Sequence, residues 1–560
     1  FHYSDWASDN IYYASSDQNS AYNTASRTQN RFNMDFMAFA NHKFTKDFEM
    51  KAMVGWSLQD NFTEFKYVAA PSLALDDLFN LSNKVGELTG SNSQNRTRKI
   101  GVFGSIDFAW KDWAFLQLTG RNDWTSLLDP SNWSFFYPSA NASVVMTDAI
   151  PALKSDVFNH FKMRASAAKV GTVNLSPYNL ENTASAADYF PFGTLAAYQL
   201  STTLRTKDLE PEFTTEYEVG AEFGFFRNRI TLEAAAYFQK TTNQTVAVSI
   251  PTSTGFTSRY INAGTMEGKG LELDLRLNPL IKIEDFRWNV GFNATFLETK
   301  VTELAGDATE LILDDNFAGY AILGEKFPQV KATDWKRNPA GKVIVNASTG
   351  MPSAGDIIAC GTSDPTVRLG FTSNMKWKGF TLGATFDYRG GHVTRFGIEY
   401  NALFTGSSYL SATSGRQRFV FPNSVIEVTD ANGNVSYQEN TNITVYTGGV
   451  NFWNGVYKSG RANQVISAAS WRLRELSLGY EVPQKYLKKL GFLQRASVSL
   501  VGRNLFMWTP KTNIFGDPDY TGSGGNSNIS GSSYNRNVSG MAGTSSTATR
   551  NYGFNLLLSF

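Results

Sequence analysis

The chain has 560 residues, a formal net charge of +1 and a single cysteine, Cys360. It therefore lacks the basic excess that nucleic-acid binding needs, and intrachain disulfides and thiolate metal clusters are excluded. Its four histidines (His2, His42, His160, His392) lie far apart without ligand-like spacing, and no apolar run approaches the ~18 residues of a membrane-spanning helix.

Apolar and polar residues alternate strictly over long segments, beginning with residues 48–58. The apolar series there is Phe48, Met50, Ala52, Val54, Trp56 and Leu58. The same period of two recurs at 217–225, 230–238, 271–277 and 286–296. This period predicts β-strands, longer than the ~5–6 residues usual in globular sheets. Such lengths fit the ~9–11 residues of a strand that crosses a bilayer.

The alternation predicts which side chains of these strands face lipid and which face an aqueous lumen. The even-numbered apolar residues of 48–58 and 230–238 are expected to face lipid. The polar residues between them are expected to line the lumen, and they include Glu49, Lys51, Thr231, Glu233 and Gln239.

The connections between these segments alternate in length. Short links occur at 45–47, 111–112, 227–228 and 378–379. The long polar segments are 60–97, 122–138, 169–214, 241–268, 299–365, 389–470 and 509–550. Short turns at one end and long loops at the other are typical of an outer-membrane barrel. Seven tryptophans near the predicted strand ends suit an aromatic girdle: Trp56, Trp110, Trp113, Trp288, Trp377, Trp471 and Trp508.

The chain stops on the alternating segment NYGFNLLLSF, residues 551–560. One face of this segment carries Phe554, Leu556, Leu558 and Phe560. Exposure of these four apolar side chains is explained if the face contacts lipid. A soluble antiparallel sheet also alternates apolar and polar residues. However, strands this long, with so regular a rhythm of short and long connections, favour the membrane barrel.

About fifteen strands are predicted, whereas single-chain bacterial barrels have an even number with both ends on the periplasmic side. Strand directions alternate, so counting back from the last strand shows that the strand at 31–41 runs from the outside to the periplasm. Residues 1–30 are then expected to be an extracellular loop segment, and the chain to be the C-terminal part of a longer protein.

Two segments resemble ligand-binding motifs but lack residues that those motifs require. DANGN at 430–434 resembles a calcium loop, but Val435 stands where the glycine is required and Thr441 where the acidic residue is required. A solvated hairpin tip is the better interpretation. The glycine-rich segment 521–533 lacks a phosphate-binding Gly-Lys-Ser/Thr and is predicted to be a flexible external loop. We predict no enzymatic activity, no cofactor and no metal site.

Several longer segments resemble SusC/RagA-like TonB-dependent transporters. These are 119–148, 207–244, 250–279 with its asparagine and its G-x-x-x-x-K-G element, and 470–509 with Gly502-Arg503-Asn504-Leu505. The resemblance follows the family's order over nearly the whole chain. It implies an all-β, transmembrane antiparallel outer-membrane β-barrel, of which 1–560 supplies about fifteen strands of 22. The plug domain and the TonB-contacting segment that the family carries are not found in this sequence.

The resemblance also implies multi-pass insertion in the outer membrane of a Gram-negative bacterium and import of an oligomeric nutrient, either glycan or peptide. Expected partners are a SusD-like surface lipoprotein acting as a lid and TonB with ExbB–ExbD, reached through the plug region. A siderophore or metal-complex receptor and a barrel-anchored adhesin remain the alternatives. No substrate-binding residue is assigned, because loop and lumen polar residues look alike in one sequence.

By resemblance to other outer-membrane barrels, the last strand is also expected to be the signal read by the barrel assembly machinery through β-augmentation. The residues that would carry it are Gly553, Phe554, Leu556, Leu558 and Phe560. The alternative is that Phe560 merely covers the edge of the bilayer.

Overall fold

The computed structural model describes residues 2–10, 21–187, 190, 192–314, 319–449, 451–488, 492–514, 516–518, 541–542 and 549–560. It divides into two compact units. The first unit comprises 1–142, 167–214 and 243–262, and the second comprises 143–166, 215–242 and 263–560. The predicted glycine-rich loop at 521–533 lies outside the described residues.

Sixteen long strands dominate the described residues, close to the expected count of about fifteen. They are β1 (His2–Asn10), β2 (Ala21–Thr45), β3 (Phe48–Ala70), β4 (Thr89–Trp110), β5 (Ala114–Thr125), β6 (Ser134–Val145), β7 (Phe158–Thr172), β8 (Glu212–Phe225), β9 (Ile230–Thr242), β10 (Thr265–Ile283), β11 (Phe286–Glu303), β12 (Val367–Trp377), β13 (Phe380–Gly390), β14 (Ser470–Glu481), β15 (Arg495–Trp508) and β16 (Asn551–Ser559). Every segment predicted from alternation is a strand.

In the first unit, β1 to β5 form an antiparallel meander in which each strand pairs with the next along the chain. The β2–β3 pairing is long, running from Thr45 opposite Phe48 to Tyr22 opposite Ala70. Residues 1–30, expected to be a loop segment, contain regular structure in their described part, since β1 pairs with residues 21–29.

In the second unit, β9 to β16 form another antiparallel meander in chain order. The last strand pairs only with β15 among the described strands, from Arg495 opposite Ser559 to Arg503 opposite Asn551. The boundary between the two units runs through β6, β7 and β8.

Two of the four predicted short links, 111–112 and 378–379, are tight turns with the backbone geometry of two-residue hairpins. Lys111 and Asp112 have φ of 48° and 57°, and Lys378 and Gly379 have φ of 46° and 90°. Two consecutive positive φ angles match the twist of paired strands and characterise the type I′ turn. The prediction of tight turns at these links is confirmed.

One predicted long loop is mostly strand. The segment 60–97 was expected to be a loop, but β3 continues to Ala70 and β4 begins at Thr89, which leaves 71–88 as the connection. Trp56, placed near a strand end by the sequence, therefore lies inside a 23-residue strand. The error arose because these strands continue past their apolar stretch into polar sequence.

Shorter elements fill the remaining long connections. The first unit adds strands Ala184–Ala186, Tyr198–Leu200, Thr203–Leu204, Thr245–Ser249 and Ser258–Asn262, and the 3₁₀ turn Thr252–Thr254. The second unit adds strands Glu310–Asp314, Gly319–Ile322, Gln329–Trp335, Val343–Val345, Ala354–Thr362, Val393–Phe396, Ser424–Thr429, Val435–Glu439, Val465–Ser467 and Met541–Ala542.

Helical elements are short. They are Met146–Ala149, Gly397–Thr405, Tyr409–Ala412 and Gln484–Leu487, the 3₁₀ turns Pro151–Leu153, Tyr457–Ser459 and Arg461–Gln464, and a π-helical turn at Asn451–Val456. Within the described ranges, none of these helices has both the length and the apolar character to cross a bilayer.

The second unit contains a folded body that the sequence did not predict. We define the loop body as the described residues of 319–365 and 391–467, which connect β11 to β12 and β13 to β14. Its apolar core combines both connections and consists of Trp335, Val343, Val345, Leu403, Phe421, Val445, Phe452 and Trp453. These segments were expected to be polar external loops, but their apolar residues are clustered in space although scattered in sequence.

Candidate functional site

One face of the meander in the first unit is apolar and exposed. Register places Val54 between Ala38 and Gly104, and Trp56 between Phe36 and Val102. Phe36 is 65% exposed and Val54 56% exposed. Soluble monomers rarely expose contiguous apolar patches beyond a few hundred Å². A face of this kind requires an apolar solvent.

The apolar face ends abruptly along β3. Leu58 is followed on the same face by Asp60, whose carboxylate pairs with Arg96 and Arg98 on β4. The Arg96 Nη2–Asp60 Oδ2 distance is 2.8 Å. The apolar stretch 48–58 thus has about the length that spans a bilayer, and the strands continue beyond it with charged side chains.

A groove of about 830 Å³ lies on the apolar face of the second unit, between strands β9 to β14. Its walls include Leu273, Phe292 and Phe371, and polar side chains are nearly absent from its described lining. Such a groove between outward apolar side chains would be filled by acyl chains in a membrane. We therefore do not regard it as a ligand site.

The opposite face of the first unit holds a buried carboxylate. Asp123 is fully buried; its oxygens pair with Lys99 Nζ and Arg121 Nε, each at 2.8 Å. The hydroxyl of Tyr137 donates to its second oxygen at 2.6 Å. A buried charge is tolerated only when it is paired and hydrogen-bonded, and three partners from three strands satisfy this one.

The polar face of the second unit carries a chain of ion pairs. Arg164 Nε donates to Glu218 at 3.0 Å, and its Nη1 donates to Glu233 at 2.7 Å. Lys162 Nζ donates to Glu222 at 3.0 Å. Glu233, predicted to line the lumen, therefore belongs to a charged surface spanning β7, β8 and β9.

The other residues predicted to line the lumen lie on the same polar side of their strands. Glu49 pairs with Lys51 at 3.5 Å and with Lys43 at 3.6 Å. Thr231 stands opposite Arg276, and the Gln239 side chain covers Gly268, where a Cβ would lie 2.9 Å from it. The structure distributes these residues along the sheet faces and does not gather them into one site.

A polar cavity of about 440 Å³ lies on this face of the second unit, over strands β10 to β14. Its lining includes Arg276, Asn293, Asn374, Thr385 and Glu475. Arg276 Nε donates to Asp274 at 2.8 Å, and the buried Oδ1 of Asn289 has no partner among the described residues. This surface offers hydrogen bonds of both polarities, which suits passage of a polar solute better than firm capture of an ion.

The predicted signal residues lie on both faces of the last strand, β16, and at Phe560, which follows it. Phe554, Leu556 and Leu558 lie opposite Leu500, Val498 and Ala496. Gly553, on the alternate face, stands opposite Val501. The ring of Phe560 is 71% exposed and stacks on Phe492 at 6.2 Å. Among the described strands β16 pairs with β15, and its recognition by assembly machinery through β-augmentation stays a prediction.

Most of the predicted girdle tryptophans are at strand ends. Trp110 and Trp377 end β4 and β12, next to the tight turns, and Trp471 stands opposite Trp508. Lys111 and Lys378 place their ammonium groups 5.8 Å and 5.6 Å from the neighbouring indole rings. Amphipathic rings beside cations are typical of a membrane–water boundary.

The calcium-like segment 430–434 is a hairpin tip, as the sequence indicated. The backbone N–H groups of Asn432 and Asn434 donate to Asp430 Oδ1 at 2.9 Å and 2.8 Å. The Asn434 amide also donates to Asp430 and lowers the pKa of that carboxyl. Within the part of the chain that is described, no three His, Cys, Asp or Glu side chains are grouped as metal ligands would be.

The structure explains two elements of the sequence resemblance, the asparagine Asn262 and the glycine Gly270. Asn262 closes the connection after β9: its Nδ2 donates to the carbonyls of Glu210 and Asn243 at 2.9 Å and 2.8 Å, and its Oδ1 accepts from Glu210 N at 2.7 Å. Gly270 leaves room for Tyr237, whose hydroxyl oxygen would be 2.4 Å from any Cβ added there. The glycine is required by close approach, since Tyr237 lies across it.

Comparison with known proteins identifies the family of this two-faced sheet. The family model of the TonB dependent receptor-like β-barrel matches residues 1–505. The chain belongs to this family. The match covers both units and includes the strands that carry the polar and apolar faces.

Relatives and solved structures agree with this assignment. TonB-dependent receptor P26 of Formosa agariphila is 24% identical over 524 residues, covering 87% of this chain and 49% of the relative. TonB-dependent receptor SusC of Bacteroides thetaiotaomicron is 24% identical over 308 residues, covering 51% of this chain and 30% of the relative. The structure of the RagAB peptide transporter superposes with a TM-score of 0.73 at 17% identity, covering 90% of this chain and 54% of that one.

These coverages confirm the SusC/RagA-like resemblance and set its extent. The chain spans about half the length or less of the curated relatives that it matches.

Proposed function

We propose that residues 1–560 form part of the wall of a 22-stranded outer-membrane receptor of a Gram-negative bacterium. This receptor imports an oligomeric nutrient, a glycan or a peptide, and has no enzymatic activity. The observation that carries the proposal is the division of the same strands, within each unit, into an exposed apolar face and a polar face. Family membership adds TonB dependence to that physical picture.

The proposal assigns separate tasks to the two faces and to the connections. Lipid covers the face of Val54 and Phe292, while solute passes along the face of Arg276 and Glu475. A plug domain closes the lumen and contacts TonB, which transmits energy from the ExbB–ExbD motor. A SusD-like surface lipoprotein covers the outer end as a lid, on the extracellular loops. Residues 1–30 belong to that extracellular end.

An oligomeric nutrient is favoured over an iron–siderophore complex by the chemistry of the polar face. Its charges are largely paired with one another, as in Arg164 with Glu218 and Glu233. Amide and hydroxyl groups such as Asn293, Asn374 and Thr385 supply most of the remaining polar lining. Groups of this kind match hydroxyls and peptide units. The names of a SusC and of a peptide transporter among the similar proteins support the same choice.

Gene deletion tests the proposal. The deletion strain should lose growth on one class of oligomeric nutrient, tested with glycans and peptides as sole carbon source under iron-replete conditions. Growth on the corresponding monomers, which pass through porins, is the matched control. Unchanged growth on all oligomers, together with slow growth only under iron limitation, would establish a siderophore receptor instead.

Native purification tests the proposed partner separately. Mild detergent extraction should recover the receptor with a surface lipoprotein of the SusD type. Recovery of the receptor alone, at detergent concentrations that leave its fold intact, would remove the lid from the proposal and leave the transport function to the growth experiment.

A further inference from the structure

Two arginines stand at the outer limit of the apolar face of the first unit. Arg96 and Arg98 lie on β4 beyond Ile100, the last apolar residue of β4 on that face, and Arg98 is opposite Asp60 on β3. Both strands continue from here towards the connection 71–88. In the proposed function this end of the strands is extracellular. We call Arg96 and Arg98 the arginine pair.

The carboxylate of Asp60 holds both guanidiniums in place. Arg96 donates to it through Nε and Nη2 at 3.0 Å and 2.8 Å, and Arg98 donates through Nε at 3.1 Å and through Nη2. The Asp60 side chain is 13% exposed, whereas those of Arg96 and Arg98 are 59% and 50% exposed. The anion therefore lies beneath the two cations, and the surface that they present outward is positive.

Each guanidinium keeps donors for a ligand. Among the residues that the structure describes, Nη1 of neither arginine forms a hydrogen bond, and two cations share one carboxylate. Further along the same face the charges balance, since Glu64 pairs with Lys66 at 2.9 Å. Planar guanidiniums bind phosphate through paired N–H groups, and basic clusters beside membrane spans bind anionic lipid headgroups. The arginine pair therefore suits a phosphate that approaches from outside the sheet.

An apolar groove lies on the same face, deeper along the same strands. Its volume is about 750 Å³. The register places Ala38, Val54, Gly104 and Gly120 side by side on four consecutive strands at its floor. Phe136 closes one side, because its ring lies 3.1 Å from the position of a Cβ added at Gly120. A long, open, apolar groove of this kind fits an acyl chain.

The groove and the arginine pair are separated as the tail and the headgroup of one lipid are. Asp60 follows Val54 by six residues, which is ~20 Å along a strand. The ~40° tilt of barrel strands reduces this to ~15 Å along the membrane normal, half of the ~30 Å hydrocarbon core. The arginine pair is therefore at headgroup level when the groove is at the depth of acyl chains.

A comparable excess of cations lies where the apolar face of the second unit ends. Glu298 is the next residue of β11 on this face after Phe296, and Lys269 stands opposite it. Three lysines surround the Glu298 carboxylate, namely Lys269 at 3.5 Å, and Lys300 and Lys326 each at 3.7 Å. Each unit therefore surrounds a carboxylate with an excess of cations at this limit, an arrangement that anionic headgroups stabilise.

We propose that the arginine pair and the groove together bind one phosphate-bearing lipid of the outer leaflet, with its phosphate on Arg96 and Arg98 and an acyl chain in the groove. The lipid A part of lipopolysaccharide has this chemistry, since its phosphorylated sugar headgroup carries several acyl chains. The proposal rests on the membrane placement in the proposed function. It goes beyond nutrient import, because the site lies on the face turned away from the lumen.

Lipid binding to the purified whole receptor in mild detergent tests the site. The probe is monophosphorylated lipid A, and native mass spectrometry measures the fraction of receptor that carries it as its concentration rises. The parent should bind lipid A, and Arg96→Gln/Arg98→Gln should weaken this binding at least about tenfold. Arg27→Gln/Arg31→Gln is the matched control and should bind like the parent, because both arginines lie on β2 on the opposite, polar face.

Three further arms separate the parts of the ligand. Dephosphorylated lipid A should bind the parent as weakly as lipid A binds the arginine variant, and this arm needs no change in the protein. Ala38→Phe fills the groove with an apolar group that lipid tolerates and should weaken the binding of lipid A. Inorganic phosphate in large excess should not displace lipid A, because it has no acyl chain to occupy the groove.

The site is refuted if the arginine variant binds lipid A like the parent, if dephosphorylated lipid A binds the parent equally well, or if Ala38→Phe has no effect. Displacement by inorganic phosphate, or an acidic protein that occupies the arginine pair in place of lipid A, also contradicts it. The deletion experiment is independent of these results. Lost growth on one oligomer without phosphate-dependent lipid binding refutes the site only, whereas unchanged growth on every oligomer refutes the proposed function.

Discussion

At the scale of single residues, the position of a side chain in the alternating pattern decides whether it lies on the apolar face or on the polar face of its strand. Lys51 lies beside Glu49 on the polar face, at 3.5 Å, whereas Val54, three positions later, lies on the exposed apolar face. Exposed apolar side chains that would be a liability in water are stabilising in lipid. Charged groups on the other face remain hydrated or paired, as the full set of partners around Asp123 illustrates.

The first prediction compares two arginine substitutions on one strand. Val54→Arg places a charge on the apolar face near its middle and should reduce the free energy of unfolding by ~2–4 kcal/mol. Lys51→Arg keeps a cation on the polar face and should change it little. Urea titration of the receptor folded into lipid vesicles measures both. Equal tolerance of the two variants would mean that the faces are assigned wrongly.

The second prediction concerns the acid sensitivity of the loop body. Hydrogen bonding from Arg337 lowers the pKa of Asp334. Because the folded-state pKa is below the unfolded value of about 3.9, the pair contributes stability that is fully present above that value. This stability is lost as pH falls through the folded pKa. Since Arg337 is partly exposed, the contribution is about 1 kcal/mol.

Asp334→Asn should remove this acid-dependent part of the stability. Limited proteolysis of the loop body at pH 6 and at pH 3 measures it, with cleavage accelerating at pH 3 more in the parent than in the variant. An identical pH response in both proteins would show that the Asp334–Arg337 pair does not stabilise the loop body.

At the scale of elements, a β-bulge explains a motif that the sequence showed only as a resemblance. The β14–β15 register shifts between Leu473 and Glu475, opposite the segment Gly502-Arg503-Asn504-Leu505. Asn504 has φ of 54°, a left-handed conformation that Asn adopts more readily than most residues. Arg503 donates to Glu475 across the bulge at 3.0 Å. Bulges increase local twist and redirect side chains.

A third prediction follows for Asn504. Asn504→Val puts a β-branched residue in the left-handed region and should lower the free energy of unfolding by roughly 1–2 kcal/mol. Asn504→Gly relieves the constraint and should fold like the parent. The fraction of heat-modifiable receptor in membranes reports both. A normal folded fraction for the valine variant would show that the bulge relaxes without cost.

The fourth prediction separates two roles for the end of β16. If the last strand is the address for barrel assembly, removing Phe560 should lower the folded, heat-modifiable population in cells. Refolding of the same truncated protein into vesicles, without assembly machinery, should stay close to normal. Normal assembly in cells would leave Phe560 as a cover for the bilayer edge, where it stacks on Phe492.

At the scale of the whole molecule, period-two alternation predicted the strands that show it, such as 48–58 and 286–296, because each strand places one face in each of two solvents. It did not predict β1, which lies in residues 1–30, the expected loop segment. The tight turns at 111–112 and 378–379 were also predictable, since the links between the alternating segments are only two residues long there. The loop body was not, because its core joins Trp335 to Phe421 and Phe452 across separate connections. Single-sequence patterns carry no information about which distant segments meet.

The two faces of the same strands meet lipid and water respectively. Cys360 is the one cysteine of the chain, so single cysteines can be introduced into a Cys360→Ser background. Receptors with cysteine at Lys51, Asn293 or Thr385 should react in outer-membrane vesicles with a water-soluble, membrane-impermeant maleimide. Receptors with cysteine at Val54, Phe292 or Phe371 should react only after detergent denaturation. Equal labelling of both sets in intact membranes, or labelling of the apolar set alone, would contradict the account.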